Sequence, residues 1–447
     1  MAQHNTSGSR LVALRQIWDE TLDPRRRAFV GFGVLTVLVA AVFSTGGGVT
    51  ASGVSISAYI AAVTTLMLAR RGYFADRATV FLDRNGERVE TRQKVRPVLK
   101  RDRVQPLYDP AWMTAEEALS FYPPSARVLG VVHKGEARAF PLAVLSYRES
   151  VRDTVGGAPL VVMWAPFCYT GRAFLLPAGN ASLRFGSTGR VIINSPVVYD
   201  LDTGTEWLQY QGAALDGPDL GSTMAEIPSL NTTLAAWVAA FPETTVINDR
   251  VAPTGDLFDN YYAGSRAGMH RAPHRDPRWP AKEIVAGVEI DGDACAFPIS
   301  WLQIEPIMHE EVGGLPLVVA YEEHSASVVA FRADIGGRRL TFEREGEAEQ
   351  SEPPVEPDGE FDDSYDDSAS EWQGPEYRPM MLRDLETGSR WHAINGVCVG
   401  GELAGEGLEP VVAGLTFWFA WTNFHPSARL PPRPDLSGLA PAVDDAG

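Results

Sequence analysis

Two stretches near the start of the chain carry no charge: Ala28 to Ser44 (AFVGFGVLTVLVAAVFS) and Thr50 to Ala69 (TASGVSISAYIAAVTTLMLA). Each comes close to the roughly 20 apolar residues that cross a bilayer as a helix. Gly46, Gly47 and Gly48 lie between them and suit a tight turn. The pattern predicts a transmembrane helical hairpin. A removed signal peptide fits poorly, because a second uncharged stretch follows at once and no small-residue cleavage site precedes a polar start. After residue 71 the pattern changes to short apolar runs bounded by Gly and Pro, which read as strands. RVLGVV, ARAFPL, PLVVMW and SLRFG are examples. Thr79 to Thr91 reads as a hairpin turning at Asn85-Gly86. Thr114 is placed to cap a short helix through Glu116, Glu117 and Ala118. Leu230 to Phe241 reads as a helix capped by Asn231, and Leu415 to Phe424 as its counterpart, with Trp418 and Trp421 in the core.

The apolar pattern repeats. Gly130 to Phe174 aligns with Gly287 to Phe331 at a constant offset of 157 residues. GEARAFPLAVL matches GDACAFPISWL, and VGGAPLVV matches VGGLPLVV. DLDTGTEW (Asp200 to Trp207) then matches DLETGSRW (Asp384 to Trp391) at an offset of 184. The 27 extra residues are Glu345 to Glu371, which hold 12 acidic residues and no basic one. This composition predicts a solvated, disordered insertion. The predicted fold class is α+β, mainly β: two tandem β-rich repeats as a pseudo-symmetric pair, preceded by two transmembrane helices. The boundaries are 1–27 for a cytoplasmic segment, 28–70 for the membrane hairpin and 71–105 for a basic linker with its β-hairpin. Repeat 1 covers 106–250, repeat 2 covers 251–430 with the insertion 345–371, and 431–447 is a disordered tail. Such a pair makes a cleft at its join, a usual place for a ligand.

Charge sharpens the topology. The 447 residues carry a formal charge of −18, yet residues 1–103 carry +8. An acidic body argues against nucleic acid as a partner. Arg25 to Arg27 precede the first uncharged segment, and Arg70 and Arg71 follow the second. The positive-inside rule then predicts a two-pass membrane protein with its large domain in the cytoplasm. The predicted partners are the lipid bilayer and anionic head groups met by the basic residues after Arg70. The three cysteines, Cys168, Cys295 and Cys398, are odd in number and far apart, so neither a disulfide framework nor a zinc site is read from them.

Several strings resemble, in order, the family called domain of unknown function 3179. They are GEARAFPL, ESVRDTVGGAPLVV, PFCYTGRAF, FGSTG, VYDLDTGTEW, HRDPRWPAKEIVAGVEIDG, LRDLETGSRW and FWFAWTNFHP. The resemblance runs from about Leu107 to about Leu430 and implies no known reaction. It does imply a His-Glu pair where this chain has Arg148-Glu149, and Cys-Pro-Leu-Cys where it has Ala165-Pro166-Phe167-Cys168. Two soft ligand or redox groups are therefore missing.

The candidate catalytic residues are Cys168, Glu149, Asp153 and Asn194. Cys168 sits at a strand end as a thiol nucleophile or ligand, Glu149 and Asp153 are carboxylates, and Asn194 is a polar position without a clear counterpart in repeat 2. The candidate ligand-binding residues are Arg148, Ser187, Thr188, Arg190, Asp200 and Trp207. Ser187, Thr188 and Arg190 lie in FGSTGR, a small anion-binding turn or a plain β-turn. Asp200 recurs as Asp384, which favours a hairpin turn over a metal ligand. His270 and His274 are four apart, but Pro273 and Pro277 break any helix that would present them together; no metal site and no cofactor is read. Two functions remain. One is a ligand-binding or scaffolding module with a degenerate family site. The other is a Cys-dependent enzyme, or a metal or redox protein, using a cleft around Cys168. Convergence of the four candidate catalytic side chains on one pocket favours the second; burial of Cys168 among apolar residues favours the first.

Overall fold

A computed structural model describes residues 77–84, 87–177, 182–249, 256–346 and 377–434. Both uncharged segments and residues 347–376 of the insertion region lie outside the described residues. Residues from Arg77 onward form one compact unit. That unit corrects two expectations. It is mainly β rather than α+β, and its longest described helices have seven residues. Seven residues rise only about 10 Å, a third of a bilayer core. Among the described residues no helix is long and apolar enough to cross a membrane, so the fold with two transmembrane helices, the two-pass membrane placement and the cytoplasmic domain are not supported.

The chain enters through a hairpin of β1 (Arg77–Arg84) and β2 (Glu87–Lys94). Thr114 then caps α1 (Ala115–Phe121) in a capping box, accepting the Glu117 amide while the Glu117 carboxylate accepts the Thr114 amide. The first half continues as β3 (Arg127–His133), β4 (Glu136–Pro141), α2 (Leu142–Arg148), β5 (Ser150–Val155), β6 (Ala158–Ala165), β7 (Thr170–Leu175), β8 (Phe185–Ile192), β9 (Ser195–Asp200), β10 (Glu206–Leu208), β11 (Ala213–Asp216), β12 (Ser229–Thr233) and α3 (Leu234–Ala240). The second half repeats the order as β13 (Ile284–Ile290), β14 (Asp293–Pro298), α4 (Ile299–Leu302), β15 (Ile307–Val312), β16 (Leu315–Glu322), β17 (Ser327–Arg332), β18 (Phe342–Arg344), β19 (Met381–Asp384), β20 (Arg390–His392), β21 (Cys398–Gly400), β22 (Gly414–Phe417) and α5 (Trp418–Phe424).

The first half is built of three small sheets in layers, and the second half repeats them with one further two-stranded sheet (Asp334–Ile335 with Arg338–Arg339). β5, β6 and β7 are the central strands of the middle sheet of the first half, edged by Leu107–Tyr108 and Ala225–Ile227. Its central strand β6 is buried on both faces, as its unbroken apolar run requires. Leu160, Val162 and Trp164 face the core shared with β3 and β4, while Val161 and Met163 face the core shared with β8 to β11. In β16, Leu317, Val319 and Tyr321 divide from Val318 and Ala320 in the same way. The turns Gly156-Gly157 and Gly313-Gly314 hold positive φ at all four positions, which closes β5 on β6 and β15 on β16 through two-residue loops.

The pattern overestimates two helices. Leu230 to Thr233 is strand, paired with β3, and the helix begins only at Leu234. Thr232 and Thr233 are β-branched and fit the pleat, and the Thr233 hydroxyl, not Asn231, caps the helix by accepting the Ala236 amide at 3.3 Å. In the second half Gly414 to Phe417 is strand on β13, and α5 starts at Trp418. Each helix is seated by one tryptophan lying on a glycine. A Cβ on Gly130 would stand 2.2 Å from the Trp237 ring, and one on Gly287 would stand 2.1 Å from Trp421. Gly130→Ala and Gly287→Ala are each expected to cost about 1–3 kcal/mol, because the indole must leave its seat. Urea denaturation of each variant measures it, and a loss under 0.5 kcal/mol would contradict this packing.

Candidate functional site

Among the described contacts, none of the four candidate catalytic side chains touches another. Cys168 is fully buried in an apolar cluster with Ile192, Ile193, Leu208, Phe417 and Phe424. Its Sγ points at the Ile193 carbonyl, 3.7 Å away. Burial pushes the thiol well above its ordinary range, with partial opposition from the Arg172 charge. Glu149 ends α2 in the left-handed region at φ 54°, and its carbonyl accepts the Trp164 amide and Gln209 Nε2, each at 2.8 Å. Burial pushes its carboxyl up to about 7. Asp153 is buried on β5 with Arg138 Nε at 3.5 Å, and burial raises its carboxyl despite that charge. Asn194 spends its side chain on the main chain of His270, donating to the carbonyl and accepting from the amide at 2.9 Å each.

The candidate ligand residues are also occupied. Arg148 binds Asp249 at 2.6 Å, and Arg190 pairs with Glu206. FGSTG forms a bulge in β8: Thr188 Oγ1 donates to the Val197 carbonyl at 2.5 Å, Ser187 Oγ accepts the Gly189 amide, and the Gly189 carbonyl accepts the amides of Val98 and Leu99. Asp200 accepts the amides of Asp202 and Thr203 and the Thr203 hydroxyl, closing a hairpin turn. Trp207 is core, edge-on to Phe185. The FGSTG and Asp200 sites are therefore turn chemistry.

The join of the two halves is different. The β6–β7 hairpin tip reaches the second half, where Thr170 Oγ1 donates to Thr416 Oγ1 at 2.8 Å and the Cys168 carbonyl accepts the Phe417 amide at 2.9 Å. The β16–β17 tip reaches back: Ser327 Oγ donates to Thr232 Oγ1 at 2.7 Å, and Arg127 binds both the Ser325 carbonyl and Asn231. This reciprocal contact creates two equivalent positions, each bounded by a Gly–Trp seat and a hairpin tip.

The two positions hold opposite chemistry. On one side Arg172 Nη1 donates to both Glu226 oxygens, at 2.8 and 2.6 Å, and its guanidinium lies 4.5 Å from the Tyr210 ring centre. His425 stacks on Trp421 at 4.0 Å. Burial opposes the charge on Arg172, but Glu226 and Tyr210 outweigh it and raise the guanidinium pKa. Burial pushes the Tyr210 hydroxyl up to about 12. On the other side the 157 and 184 offsets put Val329 for Arg172, Pro410 for Glu226, Ile394 for Tyr210 and Phe241 for His425. An open groove of about 290 Å³ lies there, lined by these four with Trp237, Phe331 and others. Asn395, the main polar side chain of the wall, is consumed: its Nδ2 donates to the Ala240 carbonyl and its Oδ1 accepts the Val397 amide. The groove can take an apolar group and offers no acid, base or metal ligand. Among the described residues no group of three or more His, Cys, Asp or Glu could hold a metal ion.

The repeat register carries a signal at Arg172, which lies inside the matched block Gly130 to Phe174 and stands opposite the apolar Val329. Tyr210 and Glu226 lie beyond the matched blocks, where sequence alone does not fix the register.

The family described as "Protein of unknown function (DUF3179)" matches residues 101–428. No curated protein and no solved structure matches.

Two measurements test the cysteines and Glu149. Cys168, Cys295 and Cys398 are all buried, so a thiol reagent at neutral pH is expected to label none of them in the native protein and all of them after denaturation; rapid native labelling of Cys168 would contradict its placement. Glu149 keeps its proton in the folded state up to about pH 7 but loses it near 4.5 when unfolded. Stability is therefore expected to fall as pH rises through that window, by up to about 3 kcal/mol. Glu149→Gln should remove this part of the slope, and an unchanged pH profile would refute the assignment.

Proposed function

From the premise that this chain belongs to the DUF3179 family, we propose that it is a binding module that takes a small apolar molecule in the groove at the join of its two halves. The observation that carries this is the contrast between the two equivalent positions. Arg172, Glu226 and Tyr210 occupy one, whereas Val329, Pro410 and Ile394 leave about 290 Å³ open at the other. Exchanging an ion pair for two apolar residues exchanges a self-satisfied site for one whose surface gains from being covered. A ligand that buries about 200 Å² of apolar surface gains roughly 5 kcal/mol before the costs of association. Aromatic or branched aliphatic groups suit the Trp237, Phe241 and Phe331 wall.

The Cys168 site supports a non-catalytic role. A thiol nucleophile needs a base within hydrogen-bond reach and a depressed pKa. Cys168 has a main-chain carbonyl as its partner and a raised pKa.

The test is titration with a neutral apolar fluorophore such as N-phenyl-1-naphthylamine. Saturable binding is expected, and Val411→Trp, which fills the groove from its partly exposed rim, should weaken it at least tenfold at unchanged melting temperature. No saturable binding, or equal binding by the variant, would overturn the proposal.

A further inference from the structure

A second cavity lies away from the groove, and its chemistry is opposite. It measures about 310 Å³ and is lined by Gln93, Lys94, Arg96, Asn194, His270 and Arg271, with Val191, Ile193 and Pro273 completing the wall. No carboxylate lines it. Elsewhere in the first half most arginines are matched: Arg138, Arg148, Arg152, Arg172 and Arg190 each pair with an acid, and Arg127 is held by Asn231 and the Ser325 carbonyl. Among the described residues, Lys94, Arg96 and Arg271 have no such partner. Three cations around one concavity, with no described acid between them, repel one another, and an anion placed among them relieves that repulsion.

The cavity is built rather than incidental. Val95 is buried in the core between Lys94 and Arg96, so the alternation of an extended chain turns both cations to the opposite side. Arg96 is paired in register with Val191 at the end of β8. The β8–β9 turn that follows puts Ile193 at φ 52° and Asn194 at φ 66°. Asn tolerates this conformation, whereas a β-branched residue does so at a cost of about 1–3 kcal/mol. Burial of the Ile193 side chain beside Cys168 offsets that cost. The strained turn aims Asn194 at the main chain of His270, which it grips by two hydrogen bonds of 2.9 Å. Gly268 makes room for the grip, since a Cβ there would stand 2.5 Å from the Asn194 amide. Asn423 holds His274 by the same pair of bonds, at 2.8 and 2.9 Å. Two asparagines thus fix both ends of the segment 270–274 through its backbone and leave the Arg271 side chain to the cavity, while His270 Nε2 lies 3.4 Å from the Pro97 carbonyl. Asn194 is a positioning residue here.

We infer that this cavity binds a small oxyanion of at least two negative charges. Phosphate esters and polycarboxylates share that chemistry, and guanidinium groups pair with either. The site is independent of the apolar groove.

Calorimetric titration of the full chain with inorganic phosphate and, separately, with citrate, in a low-salt buffer free of multivalent anions, tests it. Saturable binding of one or both is expected, weakening as sodium chloride is raised. Binding of phosphate alone assigns phosphorylated ligands, and binding of citrate alone assigns polycarboxylates. The Arg96→Gln, Arg271→Gln double variant should lose at least tenfold in affinity, while Arg275→Gln, an exposed neighbour outside the cavity, should lose less than twofold. Asn194→Ala should weaken binding although it removes no cation. The inference is overturned if neither anion binds saturably, if the double variant binds like the parent, or if Arg275→Gln costs as much as the double variant.

Discussion

The reciprocal hook at the join is the contact on which the rest of this molecule depends. Each half offers a hairpin tip to the strand that precedes the other half's helix. Thr170 meets Thr416, and Ser327 meets Thr232. These hydroxyl pairs are buried, so removing either partner would leave the other unsatisfied inside the join. The same hook carries the Cys168 and Ser325 carbonyls, which accept from Phe417 and Arg127. Everything else at the join, including the apolar groove and the Arg172–Glu226 pair, is space defined by that contact.

Repetition within a chain lets one position be read against another. The Gly–Trp seats, the Gly-Gly turns and the Asp200 and Asp384 turns are kept in both halves, because each solves a local steric or hydrogen-bonding problem that both halves share. Asp384 even adds the Trp391 indole to the turn it closes. Departures are more informative. Arg172, Glu226 and Tyr210 stand against Val329, Pro410 and Ile394, and the result is one filled position and one open one. The hairpin β8–β9 closes through Ile193 and Asn194, whereas the matching hairpin of the second half carries the acidic insertion between β18 and β19. Both proposed sites fall where the two halves differ.

Much of this is legible in the sequence. The capped helix at Thr114 and the apolar run of β6 could be read from residue types alone, because capping and burial on both sheet faces leave local signatures. The helix starts could not. Leu230 to Thr233 has residues that suit either state, and its pairing with β3, more than a hundred residues away in the chain, decides for strand. The candidate site was legible only in part. Asn194 stands out in the sequence as a polar position without a clear counterpart in repeat 2, and folding spends its side chain on a backbone 76 residues away. Cys168 drew notice as a thiol at a strand end, and the apolar cluster that buries it is assembled from both halves of the chain.

The sequence by itself determined the family, the repeat register, the turns and the separation of basic head from acidic body. These follow from residue identity and spacing along the chain. Tertiary structure alone decided which charges are spent and which remain. Arg148 and Arg190 are consumed by Asp249 and Glu206, while Lys94, Arg96 and Arg271 are gathered without an acid. A charge in a sequence has no partner until folding supplies one. The chemistry left over for a ligand is what remains after every such pairing is made.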